Sequence, residues 1–212
     1  MHIGAYSLAI SVSYLIGSLP TGYVAGLARG VDIRTAGSGN IGATNVFRVL
    51  GKAAGISVLA VDGAKGFAAA RWVPLLAEKC FPGAATDNLA LAAGAGAVLG
   101  HVYTCWLKFQ GGKGIATSAG VGFAWAPWAC GVTLAVWGIV FVLTRYVSVA
   151  SIAAAVLLPV MVWVFHYGTK MTIVMTALAV LAIYKHRTNI RRLLAGTENR
   201  AWGKKNPSSP PP

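Results

Sequence analysis

Long apolar stretches separated by short polar segments dominate the pattern of this chain. The apolar stretches cover residues 4–28, 53–77, 89–107, 119–144, 147–165 and 171–184, and the first contains no charged residue. A helix needs about 20 mostly apolar residues to cross the roughly 30 Å hydrocarbon core of a bilayer. Because most of these stretches approach that length, the pattern predicts an all-α integral membrane protein.

The composition agrees with this interpretation. Of 212 residues, 56% are hydrophobic and only 11% are charged, whereas soluble domains carry far more charge. The first apolar stretch has no Lys or Arg before it and is too long for the core of a signal peptide, so we expect a retained helix. The odd number of cysteines, widely spaced in apolar surroundings, indicates packing residues rather than disulfides or a metal site.

The net charge of +13 is compatible with a nucleic acid or an anionic membrane surface as partner. So much apolar sequence favours the membrane and no nucleic acid. Basic residues concentrate in segments 29–52 and 185–205 and around the GGKG sequence at 111–114. The positive-inside rule places these segments in the cytoplasm and the N-terminus outside.

Six crossings from an outside start would leave the basic C-terminal segment outside as well. Pro127 interrupts the stretch that follows GGKG, and proline favours a helix start or a kink. We therefore predict a short helix near 115–125 and a second near 127–144, which gives about seven transmembrane helices, some short, and a cytoplasmic C-terminus. Residues 1–203 are expected to form one domain, followed by a disordered Pro/Ser-rich tail over 204–212.

The first cytoplasmic segment contains AGSGNIGATNVFRVLGK at 36–52. Three glycines within six residues allow backbone amides to converge on an anion, and Arg48 adds a guanidinium fork suited to phosphate. Neutral hydrogen-bonding groups come from Ser38, Asn40, Thr44 and Asn45. The alternative is a polar turn between two spans, with an arginine at the level of the lipid headgroups.

The second segment reads FQGGKGIATS at 109–118. It is not a Walker A loop, because the spacing is wrong and no nearby acid could hold magnesium. Gly111, Gly112 and Gly114 surround Lys113 and precede a helix whose N-terminus attracts anions. Thr117 and Ser118 lie in the first turns of that helix, where hydroxyls serve as caps as often as ligands. A flexible basic loop at a membrane surface is the alternative.

The third segment reads YKHRTNIRRLLAGTEN at 184–199. His186, Asn189 and Arg192 recur every three residues and therefore share roughly one helical face. Glu198 is one of only five acids in the chain, and we expect it to orient or neutralise these cations rather than to act as a base. A histidine beside basic residues at a membrane border is, alternatively, simply a solvated group.

Two ionisable residues, Asp62 and Lys65, lie inside the second apolar stretch. Their three-residue spacing allows them to pair on one helical face, and burial of such groups in a membrane is costly. We favour an ion pair that braces this helix against the site. His101, at the end of the stretch before GGKG, is expected to be packed and hydrogen-bonded.

Taken together, the polar segments resemble a known family. GSGNIGATNVFR, GHVYTCWLKFQGGKGIAT and HRTNIRRLLAGTE are similar to the three motifs of the bacterial acyl-phosphate-dependent glycerol-3-phosphate acyltransferases, the PlsY family. The similarity extends to GSLPTGY at 17–23 and DGAKG at 62–66, and covers the chain except its tail. One departure is Thr104, where the family usually has proline; it is expected to change how that helix ends and to touch none of the proposed phosphate ligands.

The resemblance implies a seven-helix, multi-pass enzyme of the bacterial inner (cytoplasmic) membrane with its active site on the cytoplasmic side. It would transfer a fatty acyl group from acyl phosphate to the 1-hydroxyl of glycerol 3-phosphate, giving 1-acyl-glycerol 3-phosphate and phosphate, the first step of phospholipid synthesis. No cofactor or metal, no direct use of acyl-CoA or acyl carrier protein, contact with membrane lipid and function as a monomer are expected.

The resemblance also assigns roles to residues. Ser38 and Arg48 match the essential serine and arginine of the first motif, and His186 and Asn189 match the third-motif residues needed for activity; Lys113 would bind phosphate as a point charge. Glu198 matches a mainly structural acid. Substrate-binding positions are expected at Asn40, Thr44, Asn45, Gly111, Gly112, Gly114, Thr117 and Arg192. The base is either His186 or a substrate phosphate oxygen, and we favour the substrate.

Two other function classes compete with this interpretation. A transporter of phosphate or organophosphate would also carry ionisable residues in broken helices, but its ligands would lie near the bilayer midplane. An acyl-CoA-dependent acyltransferase with an H-x-x-x-x-D motif is disfavoured, because no histidine is followed by aspartate at that spacing. A lipid-binding structural protein would leave the polar motifs unexplained.

Overall fold

The structure is a computed structural model that describes residues 2–201. Over this range it contains only helices, in agreement with the all-α prediction. The predicted tail at 204–212 lies outside the described residues. The elements are α1 (Ile3–Ser18), α2 (Thr21–Leu27), α3 (Ala43–Leu50), α4 (Lys52–Cys80), α5 (Thr86–Val102), a 3-10 turn (Cys105–Leu107), α6 (Ile115–Trp125), α7 (Pro127–Thr144), α8 (Val147–Val164), α9 (Thr169–Lys185) and α10 (Arg187–Leu194).

Within the described residues, five segments are long and apolar enough to cross a membrane: Ile3–Leu27, Lys52–Cys80, Thr86–Leu107, Pro127–Thr144 and Val147–Val164. Each overlaps one of the apolar stretches seen in the sequence. α6 and α9 are shorter, with 11 and 17 residues. The total of seven crossings and the sides on which the termini lie stay predictions.

The predicted break before Pro127 is present. α6 ends at Trp125, and α7 begins with Pro127 as its first helical residue. Proline is well tolerated there, because the amide hydrogen it lacks has no partner in the first turn of a helix. The described residues also divide at this point into two compact units, one ending at Trp125 and the other beginning at Ala126.

In the first unit, glycines allow very close helix packing. A Cβ on Gly100 of α5 would clash with the carbonyl oxygen of Tyr14 on α1, and one on Gly120 of α6 with that of Gly63 on α4. Lipid supplies no hydrophobic drive for helix association, so close backbone contact between small residues is what holds such helices together. The contact at Gly120 fixes α6, which follows the glycine loop, against α4, and the contact at Gly100 fixes α5 against α1.

The first span is broken between α1 and α2, and polar side chains satisfy the exposed carbonyls. Thr104 donates its hydroxyl to the Ser18 carbonyl at 2.6 Å, and the Lys65 ammonium donates to the Leu19 carbonyl at 2.8 Å. In hydrocarbon an unsatisfied carbonyl costs several kcal/mol. Thr104 therefore does more than end α5, because proline at this position could not donate this bond.

The predicted ion pair of α4 is present. Lys65 Nζ lies 2.8 Å from Asp62 Oδ1, and both side chains are almost fully buried. Thr21 of α2 donates its hydroxyl to the same carboxylate oxygen at 3.0 Å. The pair thus connects α4 to the broken first span, with each charge hydrogen-bonded as burial requires.

The second unit consists of α7 to α10. Trp137 of α7 stacks on Phe141 with ring centroids 5.0 Å apart and donates its Nε1–H to Ser151 of α8 at 3.3 Å. α9 ends at Lys185, and His186 separates it from the short α10. This junction places the third polar segment at the end of α9.

Candidate active site

Asn45, at the start of α3, holds the loop that carries the first motif. Its side-chain amide donates to the carbonyls of Ile33 at 3.2 Å and Ala36 at 3.0 Å, and its Oδ1 accepts the Ser38 amide at 2.7 Å. The side chain is 2% exposed. Its two donors and its oxygen are thus engaged within the protein, which indicates that Asn45 shapes the loop rather than binding substrate directly.

The neighbouring residues of this loop are fixed by local bonds. Asn40 accepts the Gly42 amide at 2.9 Å, where α3 begins. Arg34 pairs with Asp32 at 2.7 Å and lies 4.6 Å from the ring centre of Tyr23. The hydrogen bond from Arg34 lowers the pKa of Asp32 to about 2. The loop therefore keeps its shape and its carboxylate over the physiological pH range.

The predicted ligands of the first motif lie around this loop. Ser38 is exposed between Gly37 and Gly39, whose positive φ angles of 60° and 69° turn the backbone. Thr44 is half-buried in the first turn of α3, and Arg48 is exposed in its last turn. The loop thus carries the hydroxyl of Ser38, and α3 carries the guanidinium of Arg48. The backbone of both is held in place by the hydrogen bonds of Asn45.

Replacement of Asn45 by alanine should destabilise the protein by about 3 kcal/mol, at about 1 kcal/mol for each of three lost hydrogen bonds. Asn40→Ala, which loses one bond, should cost about a third as much. Melting temperatures in detergent measure both effects. Equal melting temperatures for the two variants would show that Asn45 does not hold the loop.

The glycine loop folds back on the end of α5. The Gly111 amide donates to the Val102 carbonyl at 3.1 Å, and the Gly112 amide donates to the His101 carbonyl at 3.0 Å. These are two of the amides that the sequence offered as phosphate donors. Since each amide has one hydrogen, both hydrogens are already donated to carbonyls of the protein.

The start of α6 carries other groups of a kind that suits an anion. The Ser118 amide donates to the Gly114 carbonyl at 2.7 Å, so Gly114 caps the helix. The amides of residues 115–117, between this cap and Ser118, have no acceptor within the helix. The hydroxyl oxygens of Thr117 and Ser118 are buried and have no hydrogen-bond partner within residues 2–201. Buried hydroxyls beside a helix N-terminus suit the binding of an anion. Thr117 was a predicted ligand, and Ser118 was expected to be either a cap or a ligand.

One hydrophobic cluster connects the first two segments. It contains Ile33 and Ile41 of the first loop, Val46 of α3, Val58 of α4, and Leu107 of the turn before the glycine loop. A Cβ on Gly22 of α2 would also clash with the Ile41 carbonyl. The first motif and the turn that precedes the glycine loop therefore pack against the same hydrophobic cluster.

His186 of the third segment is buried at the junction of α9 and α10. Its Nδ1 lies 2.7 Å from the Ala182 carbonyl oxygen. A carbonyl only accepts, so the proton of a neutral ring is on Nδ1, and Nε2 is the nitrogen with a lone pair. The structure therefore fixes the tautomer of the candidate base.

Glu198 accepts hydrogen bonds from two polar residues of the third segment and from one residue of α8. Its Oε1 accepts from Asn189 at 2.7 Å and from Ser148 at 2.9 Å, and its Oε2 accepts from Arg192 at 2.7 Å. Burial raises the pKa of this carboxyl, but the hydrogen bonds from Arg192, Asn189 and Ser148 outweigh that effect and lower it. Glu198 is thus an ionised orienting group. Ser148 was not predicted, because nothing in the apolar pattern of α8 marks it.

The Glu198 contacts predict a pH dependence. Because the pKa of Glu198 is lowered by folding, its ionised carboxylate stabilises the protein at pH values above the ordinary glutamate pKa of about 4.3. That stabilisation is lost as the pH falls from this value to the lower pKa of the folded state. The melting temperature of the wild type should therefore fall below about pH 4.3 more steeply than that of Glu198→Gln. Parallel pH profiles for the two proteins would contradict this account.

The predicted site residues divide between the two units: those of the first and second segments belong to the first unit, and those of the third segment to the second. Within residues 2–201, no group of three or more His, Cys, Asp or Glu side chains is placed to hold a metal ion.

A family model described as Glycerol-3-phosphate acyltransferase matches residues 7–196. The chain belongs to this family. Among curated glycerol-3-phosphate acyltransferases, that of Desulforudis audaxviator is 48% identical over 197 residues, covering 92% of this chain and 96% of its own. That of Endomicrobium trichonymphae is 45% identical over 194 residues, covering 91% and 94%.

Two crystal structures of PlsY, described as an integral membrane glycerol 3-phosphate acyltransferase, have the same fold as this chain. The glycerol 3-phosphate form matches with a TM-score of 0.84 and 40% identity, covering 94% of this chain and 96% of PlsY. The lysophosphatidic acid form matches with a TM-score of 0.82 and 40% identity, covering 93% and 95%. This similarity confirms the family resemblance seen in the three motifs.

Proposed function

We propose that the protein transfers a fatty acyl group from acyl phosphate to the 1-hydroxyl of glycerol 3-phosphate, releasing 1-acyl-glycerol 3-phosphate and phosphate. The observation that carries this proposal is the family match over residues 7–196, which contains the first two polar motifs and the third as far as Gly196. It is supported by the PlsY structures, described as glycerol 3-phosphate and lysophosphatidic acid forms, since these molecules are an acceptor and a product of such a transfer.

The chemistry needs positioning more than activation. The hydroxyl oxygen attacks the acyl carbonyl carbon, the bond from that carbon to the phosphate oxygen breaks, and phosphate leaves with the electron pair. Acyl phosphate is already an activated anhydride, so the protein mainly has to hold two anions and stabilise the developing oxyanion. Arg48, Lys113 and the start of α6 are the groups we assign to that task.

The hydroxyl proton passes either to Nε2 of His186 or to a phosphate oxygen of a bound substrate. The bond from Nδ1 to Ala182 makes the first route chemically feasible, but we favour the substrate, whose departing phosphate becomes more basic as the bond breaks. On this proposal His186 and Asn189 serve as ligands. Near-normal turnover of His186→Gln would remove His186 from the role of obligatory base.

We further propose the membrane arrangement implied by the charge distribution: seven crossings of the bacterial inner membrane, an external N-terminus and a cytoplasmic active site. A monomer with one domain over 1–203 is part of the same proposal. Single cysteines introduced at positions 145 and 168 should be labelled from the cytoplasm and from outside, respectively. The reverse labelling would contradict this topology.

The donor is tested with purified protein and radiolabelled glycerol 3-phosphate. Parallel reactions contain acyl phosphate, acyl-CoA or acyl carrier protein loaded with the same chain. We expect labelled lysophosphatidic acid with acyl phosphate alone, formed in a 1:1 ratio with released phosphate, as the reaction above requires. Product formed from acyl-CoA without acyl phosphate would overturn the proposed donor while leaving the acceptor intact.

A further inference from the structure

The side chain of His101 lies directly against the glycine loop. His101 is in the last turn of α5, is 6% exposed, and accepts the Gly112 amide with its carbonyl at 3.0 Å. A Cβ on Gly112 would clash with Nε2 of the His101 ring and would lie 2.9 Å from Cε1 and 3.1 Å from Cδ2. The ring thus occupies the space that any side chain at position 112 would need.

The ring is held on its other side by the buried ion pair. Its Nδ1 lies 3.6 Å from Oδ1 of Asp62, the oxygen that also contacts Lys65 and Thr21. A continuous path of contacts therefore runs from α4 through the imidazole to the backbone of the glycine loop. This path ends two residues before Gly114, the cap of α6.

We propose that His101, held by Asp62, is a positioning residue for the acyl transfer, and that position 112 must be glycine to accommodate the imidazole rather than to let substrate approach. The imidazole supports the loop that leads into α6 and so sets the orientation of the first-turn amides and of Thr117. The effect on catalysis rests on the proposed function; the packing of the imidazole on Gly112 does not.

Neighbouring glycines provide matched controls. A Cβ on Gly111 would clash with the backbone carbonyls of His101 and Val102, so shortening the histidine side chain brings no relief. Gly114 has a φ of +85° and faces Val98 and Val102, so alanine there is strained whatever stands at position 101. Only the Gly112 substitution should depend on the His101 side chain.

The experiment is a double-mutant cycle with Gly112→Ala in the wild-type, His101→Ala and His101→Asn backgrounds. Residues in direct contact give non-additive effects, whereas independent sites add. Gly112→Ala alone should lower the melting temperature in detergent and raise the KM for a phosphate substrate about tenfold, the effect of roughly 1.4 kcal/mol. In either His101 background it should add less than about a twofold change in KM. Gly111→Ala should add equally in all backgrounds.

Additive effects of Gly112→Ala would overturn the proposal. So would a Gly112→Ala protein with the wild-type melting temperature and a raised KM, because the methyl group would then obstruct substrate rather than histidine. This single variant decides the question even where a His101 variant does not fold, and His101→Asn keeps a donor for Asp62. Since melting needs no substrate, coupling in melting temperature without acyl-phosphate turnover would refute the proposed function alone.

Discussion

Replacing Arg48 with alanine should lower kcat/KM for acyl transfer about 10²- to 10³-fold, the loss found when one donor at a developing charge is removed. The guanidinium is exposed in the last turn of α3, whose first turn is anchored through Asn45. The variant should therefore fold and insert normally. Arg48→Lys should recover only part of the activity, because an ammonium keeps the charge and loses the planar fork.

The control for this prediction is Arg29→Ala. Arg29 is also exposed and basic, and it precedes the same loop, so it tests whether general positive charge near the membrane is sufficient. We expect its activity to stay within about twofold of the wild type, as for most exposed charges. Similar losses in the two variants would show that Arg48 acts through bulk electrostatics and not as a ligand.

Replacing Asp62 with alanine should destabilise the protein by about 3–5 kcal/mol, the usual cost of leaving one partner of a buried ion pair behind. Lys65 would keep its bond to the Leu19 carbonyl but lose its counterion, and Thr21 and His101 would lose their shared contact. The melting temperature in detergent should fall markedly, and less protein should be recovered from membranes.

Two further variants distinguish the loss of the ion pair from a general sensitivity of α4 to substitution. Glu78→Ala, which changes an exposed acid on the same helix, should leave the melting temperature nearly unchanged. Asp62→Ala combined with Lys65→Met should recover part of the loss, because no unpaired charge is then buried. A double variant less stable than Asp62→Ala alone would mean that the bond from Lys65 to the Leu19 carbonyl contributes more than the unpaired charge costs.

Features that depend on local spacing were predictable from the sequence. The break before Pro127 follows from one proline, and the pairing of Asp62 with Lys65 follows from three-residue spacing inside an apolar helix. The contacts among Asn189, Arg192 and Glu198 likewise lie within one short segment. Helix periodicity lets the two charges of α4 meet. Glu198 lies beyond the end of α10, but it is only nine and six residues from Asn189 and Arg192.

Features that depend on distant carbonyls were not predictable. Asn45 looked like a ligand because nothing local shows that Ile33 and Ala36 use its amide. The Gly111 and Gly112 amides looked like phosphate donors because their partners belong to the preceding helix. Ser148 was missed because its partner, Glu198, lies 50 residues further along the chain.

The breaks in the helices have a common physical basis. A broken helix in a bilayer must find new partners for its freed carbonyls, and here Thr104 and Lys65 supply them for Ser18 and Leu19. Thr104 and Lys65, which donate to these carbonyls, therefore also hold together the helices next to the first two motifs. Polar side chains within the spans thus contribute to the geometry of the site as well as to stability.

The binding of phosphate by the first loop and the start of α6 is the step on which the proposed function depends most. It is tested most directly by a structure determined with glycerol 3-phosphate and a non-hydrolysable acyl phosphate analogue bound. We predict phosphate oxygens within about 3.2 Å of the Arg48 guanidinium and of the Thr117 or Ser118 hydroxyl. Both phosphates bound near the bilayer midplane, touching neither group, would contradict the account.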